Sequence, residues 1–492
     1  MSDGTLLELA SRGKKDAYQI QDPVRSWFGS PYETRSPASR EIRRLYPENP
    51  PRFGQWFDVV LPPDGDILVS LDLRITLPTW LPPPIAALNA TGLHDIKVDS
   101  QPYAIQAYEF VGTPSIPVSF PVSQAPTPTE YGWCDGIANF MIGRWALFVD
   151  NLIVLEGYGD FNTWFPDMDT TQLHAPLIHA ATGRNNGNIQ ANATLPELVF
   201  RVPLPGCQGK GDTGLPICAF KHQRVYIRFW LLDKTKLVES GELKQLLAIP
   251  SSLSPYAPTS LPLYELCPSP WGGRQIWVDG SANGVTLTAN QMGQPSIHAR
   301  CVVLNVDNEL RKSMAAQKFE IRFRQQLRDY WTIDDAAFVP GVNFRQNLQL
   351  NGFFQSLFVG FRSLARTKQN KYTDILATNN ADWLTNLSLN VNGQDRIQPW
   401  APKKFKTLAN NTQLGRDVNI ALYYLIFGVS PENEPGGAFN LSRCQKAVLN
   451  LMLNNVQVDP MTGVNDTHAF IVGLSWNVFN IEDGIAKLQF PT

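Results

Sequence analysis

Between Ile67 and Leu77 every second residue is apolar: Ile67, Val69, Leu71, Leu73, Ile75 and Leu77. The intervening positions, Leu68, Ser70, Asp72, Arg74 and Thr76, are mostly polar. Side chains alternate across a strand, so this pattern predicts an antiparallel strand with one face in a core and the other in solvent. Val225-Tyr-Ile227-Arg-Phe229, Phe319-Glu-Ile321-Arg-Phe323 and Leu387-Ser-Leu389-Asn-Val391 read the same way. Apolar runs such as Leu147-Phe-Val149, Cys301–Leu304 and Val448–Leu453 suit strands of a sandwich core. Helical spacing is scarce. Val238–Ala248 predicts about three turns, and Asp307–Gln317 predicts another short helix with Asp307 as its N-cap. The chain reads as all-β.

What joins the strands is unusual. Residues 78–132 and 249–275 hold many prolines and few charges. Loops of this length are uncommon in compact domains and are usually functional. Aromatic residues make up 11% of the chain, more than disordered chains carry, so these loops are expected to be ordered contact surfaces. One echo stands out: Gly157 is followed by Trp164, and Gly393 by Trp400, at the same distance. It predicts equivalent places in a duplicated unit.

The 492 residues allow two large domains. A formal charge of −2 gives no overall footprint for nucleic acid. Six cysteines make no disulfide framework. Asp3, Glu8, Arg12, Lys14, Lys15 and Asp16 near the start leave no signal peptide to expect, and hence little secretory glycosylation at the sequons of Asn89, Asn192, Asn386, Asn410, Asn440 and Asn465. The uncharged stretch Val111–Thr129 is broken by five prolines and is unsuited to a membrane helix.

Catalytic and ligand motifs are not seen. His94, His174, His179, His222, His298 and His468 are scattered, without the spacing of a metal site. Gly209-Lys-Gly211-Asp-Thr-Gly214 matches a dinucleotide fingerprint in letters, but Leu215-Pro216 follows where a helix should start, so it reads as a loop. Asp167 and Asp169 are the nearest pair of carboxylates for a hydrolase and read as turn residues. No catalytic residue, cofactor or metal is expected. Basic clusters at Arg40, Arg43 and Arg44, at Arg322, Arg324 and Arg328, and at Lys403, Lys404 and Lys406 read as solvated faces or inter-subunit pairs. Strands, long loops and no catalytic constellation fit jelly rolls and sandwiches, which serve in viral capsids and lectins.

Several motifs carry a resemblance. In the C-terminal half these are Asn392-Gly393-Gln394-Asp395-Arg396, Tyr423–Phe427, Asn440-Leu-Ser442-Arg443, Trp476-Asn477-Val478-Phe-Asn-Ile481 and Gly484–Leu488. Toward the N-terminus they are Leu7–Ala10, Asp16-Ala-Tyr18, Pro23-Val-Arg-Ser-Trp27-Phe28 and Gly65-Asp66-Ile67-Leu68, with Ile297–Phe323 in the middle. In this order they resemble the major capsid proteins of nucleocytoplasmic large DNA viruses of the phycodnavirus and iridovirus kind. Asn480-Ile481-Glu482-Asp483 departs from that family's ending, which has an arginine and a Met-Gly-rich turn.

The resemblance implies two consecutive eight-stranded antiparallel jelly rolls. An N-terminal arm would span 1–50, the first jelly roll 51–312 with an insertion at about 233–296, and the second 313–492. It implies a structural, non-enzymatic role in homotrimeric capsomers with a six-fold outline. Neighbouring capsomers and minor capsid proteins would be partners, and the arm would point toward an inner viral membrane. No direct contact with nucleic acid is implied. The place would be the virion capsid, assembled in the host cytoplasm. A minor capsid protein, or a glycan-binding attachment protein on the same fold, is the alternative reading.

Overall fold

The computed structural model describes residues 38–78, 131–163, 175–184, 197–207, 214–220, 223–233, 236–240, 276–277, 286–287, 294–333, 343–363, 367, 370–373, 382–405, 422–428, 437–454, 467–482 and 484–490. Asp16, Tyr18, Pro23, Phe28, Asp167, Asp169, the loop 249–275 and most of 78–132 and 233–296 lie outside these residues. The chain divides into two compact units, Met1–Ser39 and Arg40–Thr492. Everything below concerns the second, apart from the first two residues of the first strand.

Alternation builds a first pair of sheets. One has the order β1 (Ala38–Leu45), β13 (Ser296–Val306), β3 (Ile67–Thr76) and β7 (Leu198–Arg201), with β8 (Leu215–Pro216) also on β3. The other runs β2 (Trp56–Val60), β9 (Val225–Leu231), β5 (Ile142–Val149) and β6 (Leu152–Gly157). Their inward side chains share one core, in which Phe200 of β7 meets Phe229 of β9 edge-on with centroids 6.4 Å apart. The first strand thus begins inside the stretch expected as the arm.

A second pair follows. The six-stranded sheet runs β14 (Phe319–Ile333), β22 (Thr467–Glu482), β16 (Phe353–Ser363) and β19 (Tyr423–Ile426), with β20 (Phe439–Asn440) on β16 and β23 (Ile485–Leu488) on β22. Its partner runs β15 (Asn343–Asn347), β21 (Ala447–Leu453), β17 (Leu384–Val391) and β18 (Gln394–Trp400). Phe361 and Trp383 join the two sheets across their own core, with centroids 6.2 Å apart. The remaining ribbons are β10 (Val238–Ser240) with β4 (Tyr131–Trp133), and β11 (Ile276–Trp277) with β12 (Thr286–Leu287). Short helices are α1 (Ile137–Phe140), α2 (Ala175–Thr182) and α3 (Asn308–Ala316).

Three expectations need correction. Val238–Ser240 is a strand paired with β4, because the alternative of pairing backbone groups across a ribbon wins over weak helical spacing there. In β3 the residue buried at the start is Leu68, not Ile67 or Val69: the register with β13 shifts between Val302 and Val303, and this bulge turns the first residues over. Gly157 ends β6 whereas Gly393 sits in the turn before β18, so the two glycines are not equivalent. Asp307 does cap α3, accepting from the Leu310 N–H at 2.8 Å.

Gly157 has a different cause. It lies opposite Trp145, which is fully buried, and a Cβ on it would stand 2.6 Å from the indole. Gly157→Ala should therefore destabilise the protein by about 1–3 kcal/mol, the usual cost of overpacking a core, measurable by denaturant unfolding.

Candidate functional site

The six-stranded sheet of the second sandwich is covered on both faces. One face closes its own core, and the other packs on the first sandwich, so β22 reads buried along nearly its whole length. This seam brings together parts distant in sequence. Phe161, in the helical turn after β6, meets Phe358 of β16 edge-on at 5.7 Å. Phe358 in turn stacks on Tyr424 of β19 at 4.5 Å. Phe140 of α1 meets Tyr372 at 5.0 Å, and Phe220 meets Phe479 of β22 at 6.0 Å. Each such aromatic pair is worth about 0.5–1.5 kcal/mol beyond its buried area.

A charged pair crosses the same seam. Both terminal nitrogens of Arg328, on β14, donate to the Asp160 carboxylate at 3.0 and 2.7 Å. The Arg328 side chain is only 6% exposed, and its guanidinium lies 4.2 Å from the ring centroid of Tyr158. Burial, followed by the nearby Glu156 carboxylate, pushes the Tyr158 phenol above its usual pKa. Two further hydrogen bonds close the seam: the Thr373 hydroxyl donates to Asp135 at 2.9 Å, and the Ala486 N–H donates to Gln223 at 2.8 Å. Arg328 is thus neither a solvated face nor an inter-subunit residue, as its cluster with Arg322 and Arg324 had implied. Its role was missed because alternation along β14 says nothing about what covers the outer face.

The motif residues do not converge on one pocket. They fasten turns and connections. Asp66, almost fully buried beside Gly65, accepts from Arg311 of α3 at 2.5 and 3.0 Å and from the Val306 N–H at 2.8 Å. It therefore clamps the helix that links the sandwiches. Asp66→Asn should speed amide exchange in α3 while both sandwiches stay protected, as hydrogen–deuterium exchange by peptide would show.

Asn392 and Gly393 both have positive φ, 51° and 86°, and form the two-residue hairpin between β17 and β18 that Asn-Gly favours. Gln394, Asp395 and Arg396 begin β18 on the surface; Asp395 accepts from Asn390 at 2.9 Å, and the Arg396 guanidinium lies 5.6 Å from the Phe439 ring. Asn440 caps a 3-10 turn by accepting from the Ser442 N–H at 3.0 Å, which leaves Ser442 and Arg443 exposed. Asn477 is buried and donates to Gln325 at 3.0 Å and to the Phe490 carbonyl at 2.8 Å, pinning the last described strand, while Val478 pairs with Arg322. Gly484 supplies a φ of 81° between β22 and β23.

The two sandwiches repeat in detail. Numbering the eight main strands of each from one to eight gives the same orders, 1-8-3-6 and 2-7-4-5. The hydrogen bonds repeat as well. The Asp150 N–H donates to the Arg224 carbonyl and its carboxylate accepts from the Arg224 N–H, both at 2.8 Å. The Asn392 N–H donates to the Lys446 carbonyl at 2.8 Å, and its side-chain oxygen accepts from the Lys446 N–H at 3.0 Å. Asp150 and Asn392 share a left-handed backbone, with φ of 52° and 51°. These positions, not the two glycines, are the true internal equivalents.

The same architecture recurs in solved structures. The quasi-atomic PBCV-1 virus capsid contains a chain with a TM-score of 0.66 and 13% identity, covering 95% of this chain and 100% of that one. The fold is the double jelly roll of viral major capsid proteins. The Faustovirus major capsid protein shares this double jelly roll at a TM-score of 0.52 and 10% identity, over 96% of this chain and 95% of that one. A chain of the Sputnik virophage shares it at 0.50 and 11%, over 96% and 92%. No protein-family model and no curated protein matches the sequence. Among the described residues no cluster of His, Cys, Asp and Glu is arranged to hold a metal.

Proposed function

We propose that this double jelly roll is a structural capsid protein of a large DNA virus. Three copies form a capsomer with a six-fold outline, and capsomers tile an icosahedral shell. The observation that carries this reading is likeness along the whole chain: a two-sandwich architecture that aligns over 95% of its length with a chain of the PBCV-1 capsid. The seam supports it, since a shell tile needs its two sandwiches held as one block. The expected partners are other copies, neighbouring capsomers and minor capsid proteins, with the N-terminal arm toward the inner membrane side. The expected place is the virion, after assembly in the cytoplasm of the host, with no catalytic role and no direct hold on the genome. The 17% of charged residues fits a surface meant to be covered by neighbours.

Mass measurement by light scattering tests it. The purified chain should give three times the 55.0 kDa of one copy, or larger arrays. A stable single copy at micromolar concentration would overturn the reading.

A further inference from the structure

The sheet β2-β9-β5-β6 turns one face to its core, and its outer face carries aromatic rings. The register sets three cross-strand rows there. Trp56, Trp230 and Arg144 make the first, and Tyr226 and Phe148 lie in the third. Between them runs a charged row of Asp58, Arg228 and Glu156. The two ring rows are four strand residues apart, about 13 Å.

The charged row is held in place. Arg228 donates twice to Asp58, both at 2.8 Å, and its guanidinium lies 4.0 Å from the Trp56 ring centroid. Arg144 donates to Glu156 at 3.1 and 2.6 Å and lies 4.8 Å from the Trp230 centroid. Tyr226 and Phe148 stack at 5.0 Å with their planes 3° apart. The face is partly open: Trp56 is 43% exposed, and the Arg144 and Glu156 side chains 40% and 32%.

The fold does not require these rings. Counting on from the matched residues Arg224 and Lys446, Tyr226 corresponds to Val448 and Trp230 to Met452. Across the strand, Trp56 pairs with Trp230 as Asn343 pairs with Met452. Counting back from Asp150 and Asn392, Phe148 corresponds to Asn390. All four ring positions are thus ring-free in the second jelly roll, whose sandwich closes all the same.

The chemistry selects the occupant. Arg144 and Arg228 each already have a carboxylate, so a polyanion would gain little charge and would meet Glu156. A purely apolar partner would strip water from the ion pairs without replacing it. A neutral sugar chain avoids both costs. Its C–H faces cover aromatic faces, while its hydroxyls donate to a carboxylate and accept from a guanidinium. A chain of β-linked hexoses with equatorial hydroxyls is extended and flat, which suits an open sheet with two ring rows.

We infer that this outer face of the first jelly roll binds a neutral β-linked hexose chain. Trp56 stacks on a sugar ring, and Glu156 and Arg144 hold its hydroxyls. The site goes beyond the capsomer reading and does not depend on it.

Calorimetric titration of the full-length protein tests the site, with the β-1,4-linked tetramers of glucose and of galactose as probes. At least one should bind saturably. Trp56→Ala and Glu156→Gln should each weaken that binding about tenfold while the protein stays folded, as its melting shows. Trp400→Ala, which removes a tryptophan 42% exposed on the second jelly roll, should bind like the wild type. Binding of neither tetramer would overturn the site, as would binding that both Trp56→Ala and Glu156→Gln leave unchanged. Tighter binding of heparin than of either tetramer would overturn it too. So would a change in mass by light scattering on Trp56→Ala, since the face would then join copies of this chain.

Discussion

Arg328→Ala is expected to remove about 3–5 kcal/mol of stability, the range found when one partner of a buried ion pair is deleted. The substitution leaves the Asp160 carboxylate, 23% exposed, facing a seam made otherwise of aromatic rings. It also removes the guanidinium beside Tyr158. Denaturant unfolding should show the loss, with the jelly rolls separating before either core melts. The pair itself need not be net stabilising. Replacing both members by apolar residues of similar size, Asp160→Leu with Arg328→Met, should recover most of the loss. If the single substitution costs no more than an ordinary surface change, about 0.5 kcal/mol or less, the seam is not held in this way.

Gly159→Ala is expected to be worse. Gly159 is buried between Tyr158 and Asp160, and a Cβ there would stand 1.8 Å from the Asn139 carbonyl oxygen and 2.2 Å from that of Ile142. Both obstacles are backbone, so no rotamer change relieves them. Either the end of α1 moves or the turn that carries Tyr158, Asp160 and Phe161 does, and each of those three side chains belongs to the seam. A loss above about 4 kcal/mol, in the exceptional tail of single substitutions, should appear as a lowered melting temperature or as insoluble protein. Gly157→Ala, two residues earlier, is the control: its obstacle is the Trp145 side chain and not backbone. Equal effects at the two positions would contradict the account.

Much of the fold was legible because most strands have one wet face. Alternation in Val225–Phe229 named its buried residues correctly, and in Leu387–Val391 it named Leu387 and Leu389, while Ser388 is buried too and Val391 only half-buried. Asp307 and the Asn392-Gly393 pair were legible because a cap and a tight hairpin make demands on single residues. The seam was not. A strand covered on both faces loses its alternation, and Ala469–Ser475 runs buried without a break. Arg328 looked like any other basic residue on a strand, since its partner Asp160 lies 168 residues away. The internal repeat was sensed at the wrong place: the repeat of a backbone conformation, Asp150 with Asn392, survives where the side chains differ, whereas a shared glycine and tryptophan did not mark equivalent positions.

In the proposed capsomer, three chains of two equivalent jelly rolls each close into a ring. Electron microscopy of the purified full-length protein tests it most directly. The account predicts six-lobed, three-fold symmetric particles whose lobes alternate between the two jelly rolls. Two-lobed particles of a single 55.0 kDa chain at the same concentration would contradict it.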